Sequence, residues 1–344
     1  MKKTLVAMAA IAATASFAQQ LPSGINPAPT QNGVIITGGY DVGYGMYNYK
    51  GGNKVNSIGH NGSYTSQIDF IGVQDLGGGV KADFFFENDI IPTSYVTNPG
   101  STALNGTYTT TTGIVAGGTT SSITGATKAT AASTWGNGQV KAGIGGGFGY
   151  LAIGAANNAT LDFNQMSNPW GTSYGGGYGI TMATVGNGYG SSAFVRYDNS
   201  LRYLTPNFGA FTGSLQFRQK NDKTQNNIAS TTVGLQGQSG VQELALIYRN
   251  GPLNGILVNQ IDDANGVRDI TGTVQTAVKY TTNSVGLNYQ LNSPTTLYFG
   301  YQTVKNDTAS VNNKAYRYAV KYMLTPEITL GAVSSYLVNT AGSK

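Results

Sequence analysis

The 344-residue sequence has no cysteine, one histidine (His60) and charged residues at only 10% of its positions. The absence of Cys excludes a disulfide framework, and with a single His it excludes the common metal centres. A Ser-His-Asp site would have to use His60, and nothing places a Ser and an acid beside it. Typical globular domains carry roughly 25% charged residues, so a soluble chain of this size would be poorly solvated. Beyond the N-terminus there is no long apolar run, which excludes membrane-spanning helices. The net charge of +5 drops to +3 once Lys2 and Lys3 are set aside. No basic run is interleaved with aromatics, so nucleic acid is excluded as a partner.

What the sequence does have is 49 Gly and 22 Tyr. Few charges, many Gly and Tyr, and no apolar run fit a membrane β-barrel, whose oily residues alternate with polar ones instead of clustering. The first 18 residues read as a signal peptide. Lys2 and Lys3 form its basic region, Leu5 to Ala15 its short apolar region, and Ser16-Phe17-Ala18 a small-x-small cleavage site. Export to the periplasm or outer membrane follows. Residues 19–32 read as a linker, and 33–344 as the barrel.

Period-2 alternation dominates from residue 34 onward. In "VKADFFFEND" (80–89), Val80, Ala82, Phe84 and Phe86 share one face; Lys81, Asp83, Phe85, Glu87 and Asp89 share the other. In "FVRYDNSLRY", Val195, Tyr197, Leu201 and Tyr203 oppose Arg196, Asp198, Ser200 and Arg202. In "FTGSLQFRQK", Phe211, Leu215 and Phe217 oppose Ser214, Gln216, Arg218 and Lys220. In "YRYAVKYM", Tyr316, Tyr318, Val320 and Tyr322 oppose Arg317 and Lys321. Further strands are expected at 34–48, 138–145, 149–156, 231–237, 243–249, 255–260, 274–280, 284–291, 296–305 and 328–337. That makes about 15 segments, with no convincing helical period anywhere. Short connections ("DLGGG", "GGGFG", "TPNFG", "NSPT", "TPE") contrast with long ones at about 49–62, 91–137, 157–191 and 306–313. Such sorting favours a barrel whose oily face meets lipid and whose charged face lines the interior, over the soluble β-sandwich that periodicity alone leaves open.

The segments "SQIDFIGVQDLGGGVKADFFFEND" (66–89), "GGFGYLAIG" (146–154), "VRYDNSLRYLTPNFGAFTGSLQF" (195–217) and "SVGLNYQLNSPTTLYFGYQ" (284–302) resemble the general porins of Gram-negative outer membranes, in particular the neisserial and β-proteobacterial branch. The resemblance implies an all-β fold: a 16-stranded transmembrane antiparallel barrel, usually a homotrimer, through which small hydrophilic solutes and ions diffuse passively. It implies that loop 2 (about 91–137) can latch a neighbouring subunit; its Thr-rich segment 107–134 reads equally as a disordered surface loop. It also implies that loop 3 (about 157–191) folds inward, its acid facing a basic wall. Asp162 is the only acid of that loop. Alternation supplies Lys81, Lys141, Arg196, Arg202, Arg218, Arg249, Lys279, Arg317 and Lys321 as wall cations, and Asp41, Asp69, Asp83, Glu87, Asp198 and Glu243 as inward acids. Of these, Lys81, Asp83, Glu87, Arg196, Asp198, Arg202, Arg218, Arg317 and Lys321 join Asp162 as the constriction set.

The wall cations could bias permeation toward anions, or pair with inward acids and merely stiffen the wall, as Arg196 and Asp198 could. Trp170, in "NPWGTSYGGGYG", is expected to anchor loop 3 against the wall, with stacking of a solute as the alternative. "DDANGVRD" (262–269) lacks the spacing of a calcium loop and reads as a solvated turn. No cofactor is expected. The sequence departs from the family where Ala155 follows Gly154, a position at which an Arg is common. It also ends in "SSYLVNTAGSK", where a closing strand with a terminal aromatic is expected. The expected partners are outer-membrane lipid and small solutes. The competing readings are a plugged structural or adhesive barrel and, less favoured, a barrel enzyme.

Overall fold

The computed structural model describes residues 32–48, 54–60, 65–90, 138–171, 196–220, 239–263, 279–306 and 311–338. Among them are fifteen strands and one helix, α1 (Ala159–Met166). In chain order the strands are β1 (Gly33–Gly39), β2 (Val42–Asn48), β3 (Lys54–His60), β4 (Gln67–Gly77), β5 (Val80–Asp89), β6 (Val140–Gly146), β7 (Gly149–Ala155), β8 (Ser200–Leu204), β9 (Phe211–Arg218), β10 (Gly240–Asn250), β11 (Leu253–Asp263), β12 (Lys279–Asn292), β13 (Thr295–Asn306), β14 (Val311–Met323) and β15 (Thr329–Val338). Thirteen form one antiparallel sheet in the order β1-β4-β5 and then sequentially to β15; β2 and β3 pair separately.

The connections sort by rim. On one rim, β4–β5, β6–β7, β8–β9, β10–β11, β12–β13 and β14–β15 are joined by two to six residues. On the other, the joins are 50, 44, 21 and 15 residues, falling to 4 between β13 and β14. The β4–β5 turn is tight because Gly77, Gly78 and Gly79 take φ of 83°, 62° and 78°, values that a Cβ disfavours at each position.

The two faces of the sheet differ in chemistry. Phe84, Ile153, Leu201, Leu215, Phe217, Leu244, Leu257, Leu297 and Tyr318 are exposed. Their sequence neighbours Phe85, Ala152, Arg202, Ser214, Gln216, Glu243, Ile256, Tyr298 and Arg317 are buried. The buried side faces α1. The sheet must curl around that helix. Arg202 on β8 and Arg317 on β14 contact Asp162 and Asn164 of the same helix, yet six strand spacings of about 4.8 Å would hold them roughly 29 Å apart in a flat sheet. Together these features describe a transmembrane antiparallel β-barrel, with the apolar face outward toward lipid and the polar face inward.

Several expected elements are redrawn. The expected strand 34–48 is broken at Tyr40-Asp41, where the Asp41 amide donates to Ser66 Oγ at 2.8 Å and the hydroxyl donates back to the Asp41 carbonyl at 3.2 Å. Part of the expected loop 49–62 is strand β3, so His60 lies opposite Val42 in a ladder and not in a loop. Residues 274–280 and 284–291 are not two strands, since β12 runs through 281–283 without a turn. There Thr282 and Ser284 face inward, and Asn283 accepts an outward hydrogen bond from Asn259 at 2.8 Å. Polar outward residues had imitated a turn. The stretch before Ser200 is not strand either: Asn199 takes φ of 54° and a turn covers Asp198-Asn199. Residues 1–31, 91–137 and 231–237 lie outside the described residues.

Candidate constriction site

Helix α1 follows β7 and lies on the inward face. The sequence "ATLDFNQM" has little intrinsic reason to be helical, and its ends are held by polar side chains. Asn158 is the N-cap, accepting from the Leu161 amide at 2.9 Å. Glu243 of β10 accepts from the Ala159 amide at 2.6 Å, the Thr160 amide at 3.1 Å and the Thr160 hydroxyl at 2.8 Å. The first-turn amides of a helix have no intrahelical acceptor, and an anion there also meets the positive end of the helix dipole. Gln260 on β11 completes the group by donating to Glu243 at 2.8 Å.

The flanks of α1 are tied to opposite walls. Arg202 donates to Asp162 and to the Asn157 carbonyl, each at 2.5 Å, with Ser214 Oγ accepting at 3.2 Å. Arg317 donates to Ser167 at 3.2 Å and to Asn164 at 3.4 Å. Beneath the helix, Ala159, Phe163 and Met166 pack on Ile247, Ile256, Val258, Val304 and Ala315. An apolar patch on a polar wall explains why the helix seats against one side. Two wall glycines make room for it. A Cβ on Gly286 would stand 2.9 Å from the Phe163 ring, and one on Gly331 would stand 2.4 Å from the Trp170 indole. Trp170 therefore lies against β15.

A second group lies where α1 enters. Arg196 reaches Glu87 at 3.5 Å and donates to Asn157 at 2.7 Å. Asp69 and Asp89 occupy the same inward face as Glu87 on β4 and β5. Lys141 lies over the Tyr150 ring at 4.9 Å, and the Tyr150 hydroxyl donates to Asp83 at 2.8 Å. Arg218 stacks on Tyr197 at 4.6 Å and donates to Ser239. Tyr197 in turn donates to Asp262 at 3.1 Å. Burial first, and Asp262 beside it second, push the Tyr197 phenol above its ordinary value and keep it a donor.

The structure thus brings Asp162, Arg202 and Arg317 together through α1, and Glu87 and Arg196 at its entry. Lys81, Asp83 and Lys321 remain half-buried on the inward face. Asp198 does not join them. It is exposed on the turn before β8, and Arg196 pairs with Glu87 instead. Tyr197, placed by alternation on the outward face, is 2% exposed and inward of that turn. Lys279 is likewise redirected: Tyr280 packs toward the inward cluster, so Lys279 faces outward. Asp262 and Asp263 are strand ends on opposite faces, not a solvated turn, and cannot converge on one cation. The helix cap was not evident in the sequence, since Glu243 lies 84 residues beyond Ala159. Only Asn158, a good N-cap residue, hinted at a helix start.

Among the described residues no group of His, Cys, Asp and Glu could hold a metal ion. The arrangement fixes charged side chains around a helix on the inward face of the sheet.

A family profile described as Gram-negative porin matches residues 4–342. The major outer membrane protein P.IA of Neisseria meningitidis serogroup C is 30% identical over 209 residues, 56% of this chain and 41% of that protein. An outer membrane porin protein of Bordetella pertussis is 27% identical over 283 residues, 77% of this chain and 61% of that protein. The chain thus spans less than two thirds of the length of these curated relatives. Among solved structures, an anion-selective porin from Comamonas acidovorans matches with a TM-score of 0.50 at 16% identity, over 90% of each chain. An OmpF of Salmonella typhi matches with a TM-score of 0.53 at 14% identity, over 91% of this chain and 81% of that one. These likenesses agree with the fold described above. The chain belongs to the family of Gram-negative porins, and is an outer-membrane β-barrel and not an enzyme.

Proposed function

We propose that the protein forms a water-filled channel through which small hydrophilic solutes and ions diffuse passively, with loop 3 setting the size limit. The observation that carries this reading is the inverted amphipathicity of the sheet, together with a helix fixed on its inward, polar face. Loop 3 runs from about residue 157 to 191, with Trp170 as its wall anchor. α1 is seated on the β10–β14 side, and the half-buried Lys81 and Asp83 lie on the inward face of β5.

A slight anion preference is part of the proposal. Asp162 is taken up by Arg202, and Glu243 by the start of α1. The half-buried inward cations are Lys81, Arg196, Arg218, Arg249 and Lys321, against the half-buried acids Asp41, Asp83 and Asp89, with Arg196 paired to Glu87. A narrow low-dielectric pore focuses the field of such fixed charges. We also propose that residues 1–18 are removed on export and that the working unit is a homotrimer, as the family resemblance implies. The test is the reversal potential of the refolded protein in asymmetric KCl. Anion preference is expected, and it should fall in K81Q/K321Q. Cation preference in the unmodified protein would overturn the charge assignment, and no conductance at all would favour a plugged barrel.

A further inference from the structure

Loop 3 leaves the wall after β7 and returns to it before β8, and its two ends lie side by side: Asn157 and Arg196 form an isolated antiparallel bridge. Glu87 of β5 is locked to the stretch before β6. Its amide donates to the Gln139 carbonyl at 2.8 Å, and its carbonyl accepts from the Gly138 amide at 3.2 Å. A Cβ on Gly138 would fall on the Glu87 side chain, so glycine there leaves the carboxylate room to lie beside loop 3. Asn157 is the junction. Its amide donates to Gln139 Oε1 at 3.0 Å, its carbonyl accepts from Arg202, and its side-chain oxygen accepts from Arg196 at 2.7 Å. Three polar groups of one residue are thus taken by three other stretches of chain, and the residue is 6% exposed.

Arg196 and Tyr197 reach opposite ways from adjacent positions. Arg196 meets Glu87 of β5 at 3.5 Å. The Tyr197 hydroxyl, with Arg218 stacked on its ring at 4.6 Å, lies 3.1 Å from an Asp262 oxygen and 3.2 Å from Gln260 Oε1, both on β11. In the sheet order β5 and β11 are six strands apart, roughly 29 Å if the sheet were flat. Two consecutive side chains span the curled sheet between them. Gln260 in turn donates to Glu243 at 2.8 Å and to the Thr160 hydroxyl at 3.1 Å, and Glu243 accepts from the first-turn amides of α1. One ion pair and a series of hydrogen bonds therefore run from β5, through the returning limb of loop 3, to the start of α1.

We propose that Asn157, Arg196 and Tyr197 are positioning residues of the channel. They brace the neck of loop 3 between the β5 and β11 walls and thereby fix where α1 lies in the interior. Arg196 acts through its planar fork, which reaches Asn157 and Glu87 together, and a lysine cannot reproduce that fork. Its contribution to conduction is the brace and not its charge. The role in conduction rests on the channel reading; the bracing of loop 3 does not, and the two are measured separately.

The experiment follows loop 3 by two readouts in Y197F, N157A and R196K, none of which alters the net charge. Loop 3 beyond residue 171 carries Tyr174, Tyr178 and Tyr189, targets for chymotrypsin. In the folded barrel, verified by heat-dependent gel mobility, cleavage within the loop should quicken about tenfold to a hundredfold in each variant. That is the factor expected from losing one hydrogen bond to a charged group when cleavage tracks the open population. N157A/R196K should cleave no faster than R196K, because both changes remove the same contact. In planar bilayers the single-channel current should become unsteady in all three variants, with the reversal potential kept in Y197F and N157A. Unchanged cleavage in all three would overturn the brace. So would an R196K that matches the unmodified chain in both readouts, which would return Arg196 to the role of a wall charge. Faster cleavage with steady current would refute the part in conduction. Faster cleavage with no conductance from the unmodified chain would remove the channel reading and leave the brace standing.

Discussion

Glu243 places both carboxylate oxygens at the start of α1, and Arg202 places its guanidinium across Asp162 and the Asn157 carbonyl. Both side chains are nearly inaccessible, at 2% and 1% exposure. At this scale the inward charges are of two kinds. Some hold loop 3; others, such as Lys81 and Lys321, keep contact with the interior. The two kinds should respond differently to removal. Asp162→Ala leaves a buried guanidinium without its carboxylate, a change that typically costs about 3–5 kcal/mol. Lys321→Ala should cost less than about 1 kcal/mol, since it removes a half-buried side chain that holds nothing in place. Urea unfolding of the two variants, followed by tyrosine fluorescence, would compare them, and equal losses would remove the distinction.

At the scale of elements, the strands were legible in the sequence and α1 was not. Alternation works wherever one face meets lipid, because a single outward polar residue is costly and the pattern stays clean. Thus "VKADFFFEND" and "YRYAVKYM" give faces that the structure keeps. Alternation misleads where polar residues lie on the outward face, as at Asn259 and Asn283, or where the chain turns, as at Asn199. The helix was hidden for another reason. Its stability comes from Asn158, Glu243, Arg202 and Arg317, contributed by four separate parts of the chain. The same is true of the candidate site: its residue types and inward parity could be read, but the partner each charge takes depends on the seating of loop 3. Gly286 makes that seating testable. A Leu there would occupy space held by Phe163. Gly286→Leu should displace α1 from the wall and change single-channel conductance while the strands remain intact by circular dichroism. Unaltered conductance would show that the helix does not govern the opening.

The whole molecule is organised by one inversion: apolar side chains outward, polar and charged side chains inward. Phe84 and Tyr318 sit midway along their strands on the outward face. Phe84→Arg and Tyr318→Arg should each destabilise the barrel by about 2–4 kcal/mol, the cost of a lipid-facing cation near the bilayer midplane. Lys81→Arg, on the inward face, should assemble normally; Asp83 is unsuitable, because it accepts the Tyr150 hydroxyl at 2.8 Å beside Lys141. Ser214, inward by alternation, is a poorer control, because it is 1% exposed and accepts a hydrogen bond from Arg202. Folding yield into lipid vesicles would rank the variants, and equal yields would deny the assigned faces.

Because the sequence has no cysteine, single cysteines can report the inversion without background. The most direct measurement labels Asp83→Cys, Lys321→Cys, Phe84→Cys and Leu257→Cys in membrane-inserted protein with a charged, membrane-impermeant thiol reagent. An aqueous interior predicts labelling at positions 83 and 321 and protection at 84 and 257, with the protected pair reacting with a lipid-soluble maleimide. Labelling of 84 and 257 by the charged reagent, with 83 and 321 silent, would contradict the water-filled barrel.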